Sequence, residues 1–205
     1  MNAIKIMVKG WVKVLPFYLF TLLPLFAACS EADDTVSEYV NWQERNEAYF
    51  EQQYETHSIK YASWTKPSSM SISDLPHGNC ILVDVIESGY GTVSPYYTDS
   101  VLVHYEGRLI PSATYPQGSV FDRSFIPPFD YEVDVPAAFT LAGLVDGFST
   151  ALQHMHRGDH WRVIVPYQLG YRSEQKTGIP AYSTLIFEIH LVDFWHEKEG
   201  DRPDV

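Results

Sequence analysis

Residues 101 to 109 read Val-Leu-Val-His-Tyr-Glu-Gly-Arg-Leu, and this run constrains the chain more than any other. Val101, Val103, Tyr105 and Gly107 fall on one side at a period of two, with Leu102, His104, Glu106 and Arg108 on the other. Such alternation specifies a half-buried strand, here with a tyrosine on its inner face. A short loop later comes Val120-Phe121-Asp122-Arg123-Ser124, where an aromatic residue adjoins a carboxylate. In extended backbone these two point to opposite sides, unless a bulge turns both toward one cavity. Aromatic walls beside one carboxylate describe a binding pocket.

The same signal continues on either side of this pair. Cys80 to Ile86, Phe139 to Leu141, His160 to Pro166 and Thr184 to Trp195 all read as strands, being rich in β-branched and aromatic residues and bounded by turn residues. One helix is expected among them, from Leu144 to His156, with Leu144, Phe148, Ala151, Leu152 and Met155 on a common face and Gly158 as terminator. Pro111 to Ser119 is a solvent loop, and the prolines at 127, 128 and 136 argue against regular structure from Ser124 to Ala138. Tyr167 to Tyr182 is too long for a simple turn, and loops of that length commonly carry function. Strands, one helix, then strands again predict an α+β domain: an antiparallel sheet of about five strands wrapped around one short helix.

Ahead of this domain the chain changes character. Lys5, Lys9 and Lys13 form a basic region, and Val14 to Ala28 is apolar and interrupted by Pro16 and Pro24. Fifteen such residues are short for a span of about 20, so residues 1–28 read as a secretion signal rather than an uncleaved anchor. Leu25-Phe26-Ala27-Ala28-Cys29 resembles the lipobox of bacterial lipoproteins, in which the cysteine is lipidated and becomes the new amino terminus. The acidic Ser30 to Asp34 resembles the tether behind that cysteine in lipoproteins of the Bacteroidetes type. Asp34 to Thr56 has no proline or glycine, and Val36, Tyr39, Val40, Tyr49, Phe50 and Tyr54 recur near helical spacing. This predicts an N-terminal helix capped at Asp34 or Thr35, packed on the following domain, with a homodimer formed through it as the alternative. Ile59 to Asn79 is read as an irregular connector. The expected organisation is therefore signal 1–28, tether, helix and connector 29–79, domain 80–196 and tail 197–205.

Charge and cysteine content remove several functions. Three of the 14 basic residues and none of the 26 acidic ones precede residue 29, so the remainder carries a formal charge of −15 and repels nucleic acid. Cys29 and Cys80 alone make neither a disulfide framework nor a structural zinc site, and Cys80 reads as a small core residue. Gly89-Tyr90-Gly91 lacks the third glycine of a dinucleotide loop. His154, His156, His160, His190 and His196 show no recognised ligand spacing, so no metal and no cofactor are expected.

Taken together, Val-x-Val-His-Tyr-x-Gly-x-Leu, Phe-Asp-x-Ser, Phe-x-Leu-x-x-Leu-Val-x-Gly-Phe, Met-x-x-Gly and Ile-Pro-x-x-Ser-Thr-Leu-Ile-Phe, in that order over somewhat more than half the chain, resemble the FKBP-type peptidyl-prolyl cis-trans isomerases. The resemblance implies an aromatic-lined cavity between helix and sheet that takes proline-containing polypeptides. It carries the family's wall onto Tyr105 and Phe121, its pocket aspartate onto Asp122, and its carbonyl-receiving backbone N–H onto Val145, beside Leu144. The hydroxyl donor falls on Tyr171, the floor on Phe148, the loop isoleucine on Ile179 and the far wall on Phe187. Phe148 stands where tryptophan is usual, and Ser124 to Ala138 lacks clear counterparts of a second wall phenylalanine and of an arginine facing the aspartate. Phe129 and Tyr131 are candidates for the former and Arg123 for the latter. The implied function is a lipid-anchored folding isomerase in the bacterial envelope, with an inactive peptide-binding lipoprotein of the same fold as the alternative.

Overall fold

The computed structural model describes residues 38–131 and 133–196. The expected signal, lipidated Cys29, tether and C-terminal tail lie outside them. From the N-terminus the elements are α1 (Trp42–Thr56), β1 (Ile59–Ala62), β2 (Cys80–Glu87), β3 (Ser100–Arg108), β4 (Val120–Arg123), β5 (Ala137–Thr140), α2 (Asp146–Leu152), β6 (His160–Val165) and β7 (Leu185–Trp195). The strands form one antiparallel sheet in the order β1-β2-β6-β7-β3-β4, with β5 also on β3.

The described residues form seven strands rather than about five, for two reasons. The segment expected to be an irregular connector contributes β1, which pairs Ile59 to Ala62 with Val83 to Cys80. The outer edge of β3 is shared by two short strands: β5 pairs Ser100 to Val103, and β4 pairs Glu106 to Arg108. Between them the proline-rich segment leaves the sheet edge and returns, so one long strand position is filled by two pieces.

The inner face is the main core. Ile81 and Val83, Trp161, Val163 and Val165, Phe187, Ile189 and Leu191, and Val101 and Val103 meet Phe148, Ala151, Leu152 and Met155. Period-two side chains from four strands thus close over one helical stripe. Helix α2 is shorter than expected: it ends at Leu152, where the Ala151 carbonyl accepts from both His154 and Met155 and tightens the last turn, so Met155 is buried from a turn and not from the helix. Gly147 lets α2 approach the sheet; a Cβ there would meet Val165 Cγ1 at 2.3 Å. Cys80 is fully buried, as a core residue.

The outer face is also covered, so β3 is not half-buried. Helix α1 lays Phe50 onto Leu82, Ile164 and Ile186. It starts at Trp42, with Glu38 to Val40 in a turn, and the expected cap at Asp34 or Thr35 lies outside the described residues. Its buried row is Trp42, Asn46 and Phe50, at i, i+4 and i+8, while Tyr39 and Val40 are exposed. Farther along the same face, Phe129 and Tyr131 of the proline-rich segment pack edge-on against His104.

Candidate functional site

The aromatic residues singled out in the sequence form a continuous run of edge-to-face contacts. Tyr105 of β3 meets Phe148 of α2 with ring centroids 6.0 Å apart; Phe148 meets Phe187 of β7 at 4.9 Å; Phe187 meets Phe121 of β4 at 5.7 Å. Phe148, Phe187 and Ile179 are buried, whereas Tyr105, Phe121, Leu144, Val145 and Tyr171 are only partly so. The arrangement is a buried apolar base with a partly exposed aromatic rim. Gly107 makes it fit: a Cβ there would meet the Phe121 ring at 2.5 Å and Phe187 at 3.0 Å.

Polar groups sit at the rim. The Tyr105 hydroxyl donates to Asp122 Oδ2 at 2.6 Å, and the Arg123 N–H donates to Asp122 Oδ1 at 2.9 Å. Burial, then the bond to Asp122, raises the Tyr105 phenol above its ordinary range, so it remains a donor at neutral pH. A register shift between Gly107 and Arg108 on the β3–β4 ladder is the bulge that allows Phe121 and Asp122, adjacent in sequence, to serve one site. Leu144 follows a tight turn at Leu141–Gly143, and Val145 is the N-cap of α2, so its N–H is one of those a helix start leaves without an intrahelical acceptor.

The long loop is closed on itself. Tyr182 N–H donates to the Arg172 carbonyl at 2.8 Å, and Lys176 and Ile179 exchange two backbone bonds around Gly178, whose φ is +74°. Gly178 lies against Phe121, 3.7 Å from its Cβ when a Cβ is built there, which brings the loop tip and Ile179 to the rim. Two ties fix the loop ends. Arg172 pairs with Asp146 at 3.0 Å, and α1 holds the exit through Trp42 Nε1 to Ser183 Oγ at 2.8 Å and Thr184 N–H to Asn46 Oδ1 at 2.8 Å.

Three candidates change. Phe129 and Tyr131 do not wall this cavity, because they pack on His104 and His190, across the sheet from Tyr105. Arg123 directs its guanidinium to Glu106, 3.4 Å away, and not to Asp122. The second aromatic beside Tyr105 is Phe139 of β5, at 5.6 Å; the sequence places it in a strand and at the head of a family motif without assigning it to the wall, and its place opposite Val101 follows once β5 pairs with β3. One group of potential ligands also lies outside this site. His160, Glu188 and His190 each offer a ligand atom within 4.8 Å of the others, brought together by strand register and not by sequence spacing.

Residues 91–192 match the family model of the FKBP-type peptidyl-prolyl cis-trans isomerases. The domain is of the FKBP type. The isomerase FkpA of Escherichia coli strain K12 is 32% identical over 121 residues, covering 59% of this chain and 40% of that protein. Outer membrane protein MIP of Legionella longbeachae is 35% identical over 126 residues, 61% of this chain and 48% of that protein. The crystal structure of FkpA from Escherichia coli superposes with a TM-score of 0.53 at 27% identity, covering 76% of this chain and 62% of that one. The chain therefore spans about half or less of the length of these curated relatives. Within the FKBP domain, the aromatic run, the Tyr105–Asp122 pair and the start of α2 converge on one side of the sheet.

Proposed function

We propose that the chain is a peptidyl-prolyl cis-trans isomerase acting on proline-containing polypeptides, with Tyr105, Phe121, Asp122, Val145 and Tyr171 acting on the amide and Leu144, Phe148, Ile179 and Phe187 holding the proline ring. The observation that carries this is the apolar base of Phe148 and Phe187 under a rim bearing the Tyr105 hydroxyl and the N-cap of α2. Resonance holds an X-Pro amide planar behind a barrier of about 18–20 kcal/mol. A site that binds the twisted amide better than either planar isomer lowers that barrier without a nucleophile. The apolar base removes water that stabilises the polar planar amide, and a donor at the rim, the Val145 N–H or the Tyr171 hydroxyl, fixes the carbonyl. Asp122 orients the Tyr105 hydroxyl.

The test is a proline-peptide isomerisation assay on the full chain in mild detergent. Catalysis above the buffer rate, lost in Tyr105→Ala, is expected. A buffer rate with a folded circular dichroism spectrum would replace the enzyme with a peptide-binding module, and peptide affinity would then decide that reading.

We further propose that Cys29 is lipidated and that the protein works in the bacterial envelope, on the grounds of the sequence before Cys29 and the likeness to a relative named as an outer membrane protein. Mass spectrometry of the membrane fraction tests this, with Cys29→Ala expected to release the protein. The dimer reading predicts a dimeric mass that falls to monomer when the N-terminal helix is deleted. Burial of Trp42 and Phe50 within the same chain favours the monomer.

A further inference from the structure

The outer face of the sheet holds polar chemistry that proline isomerisation does not use. Three histidines stand in a row across three neighbouring strands: His160 of β6 is paired with His190 of β7, and His190 with His104 of β3. Glu188, two residues before His190, shares its face. The His160 Nε2 lies 2.9 Å from Glu188 Oε1, and the His160 and His190 rings stack with centroids 3.4 Å apart. The Tyr131 hydroxyl contacts His190 Nδ1.

We propose that His160, His190 and Glu188 form a binding site for a late first-row divalent transition metal, zinc being the reference ion. Two imidazoles and one carboxylate with a further position open is a donor set that zinc accepts. Their ligand atoms already lie within 4.8 Å of one another. Tetrahedral zinc, with bonds of about 2.0–2.1 Å, needs ligand atoms about 3.3 Å apart, so the three side chains close by about 1.5 Å at most on binding. Metal-bound histidines characteristically use their second ring nitrogen to hold an outer partner. Tyr131 is that partner for His190, leaving Nε2 for the ion.

A second observation points the same way. His104 is 2% exposed, and its Nδ1 has no hydrogen-bond partner. A buried unpaired polar atom is a standing cost where an apolar residue would pack better. It adjoins His190 in the row and sits under Phe129 and Tyr131. A metal beside it gives this polar row a function. The ion would join β6, β7 and, through Tyr131, the proline-rich segment, on the face away from the aromatic site. The soft-to-borderline imidazole donors select zinc, copper or nickel over magnesium or calcium.

The test uses the full chain in mild detergent, stripped with chelator and dialysed. Titration with Zn²⁺ followed by calorimetry should give one equivalent per chain and a raised melting temperature. His160→Gln and His190→Gln should each weaken binding at least tenfold, with unchanged far-ultraviolet circular dichroism. Unchanged stoichiometry and affinity in the double variant would put the ion elsewhere and overturn the proposal. Co²⁺ provides a readout on the unmodified chain that depends on no variant folding. Intense visible bands of a four-coordinate site are expected, whereas the pale spectrum of hydrated Co²⁺ would overturn it.

Discussion

Tyr105 and His104 are neighbours on β3, yet the two faces they occupy are built on opposite terms. Tyr105 looks onto Phe139 and Phe148, with one polar bond at the rim. His104 looks onto Phe129, Tyr131 and a histidine from the next strand. The inner face is covered by a helix whose apolar stripe matches the sheet. The outer face is covered by α1 and by a looped-out segment that brings aromatic rings to imidazoles. A single strand can thus divide two chemistries because side chains alternate, and one backbone serves both without compromise.

The comparison is broken or sharpened most strongly by removing one cover from each face. Phe148→Ala opens a cavity under the inner rim, where the ring is 3% exposed; it should cost about 3–5 kcal/mol in urea unfolding and abolish isomerisation. Tyr131→Ala, at a residue 57% exposed, should cost less than about 1 kcal/mol. Equal losses would mean that the outer cover is as structural as the inner one.

Next in size is Asn46→Ala. Asn46 is fully buried; its Oδ1 accepts from Thr184 N–H and its Nδ2 donates to the Trp42 carbonyl at 2.6 Å. Leaving Thr184 N–H unpaired should cost about 1–3 kcal/mol and raise KM by loosening the loop exit. Unaltered KM with lowered stability would confine α1 to a structural role.

Smaller again is Tyr105→Phe, which removes the bond to Asp122. It should cost about 0.5–1.5 kcal/mol of stability, and kcat/KM should fall by about tenfold for each 1.4 kcal/mol of lost transition-state binding. If Asp122 acts only by orienting that hydroxyl, Asp122→Asn lowers kcat/KM by a similar factor. A much larger fall would give Asp122 a direct role.

One further effect is spread over pH and belongs to the outer face. Burial, aided by His160, pushes His190 down to about 4, and burial also lowers His104. Between the usual imidazole value of about 6.5 and 4 the unfolded chain binds more protons than the folded one. Stability in the presence of chelator should therefore be full above about pH 6.5 and decline as pH falls toward 4. His190→Phe should flatten that slope, measured by thermal unfolding at several pH values; an unflattened slope would assign it to other groups.

The inner face could be read from sequence because its signal is periodic. Val101, Val103, Tyr105 and Phe187, Ile189, Leu191 announce a core face, and the glycine and phenylalanine at 107 and 121 fit as a pair. The outer face lacks such a signal. Phe129 and Tyr131 lie in a stretch without period, and their destination is set by where β4 and β5 leave and rejoin β3. His160 and His190 are 30 residues apart and meet only through register. Asn46 was illegible for a different reason: a polar residue in the middle of a buried helical row interrupts the pattern that would reveal the row. The short α2 follows from a shared carbonyl at Ala151, which no propensity encodes.

The way α1 grips Thr184 bears on how this protein can be cut. The family match starts at residue 91, beyond α1, β1 and β2. A fragment excised there would leave β6 as a raw sheet edge, strip Phe50 and Leu82 from Ile164 and Ile186, and leave the Thr184 amide without its acceptor. The smallest piece able to keep its shape in isolation is therefore larger than the stretch that kinship alone would delimit.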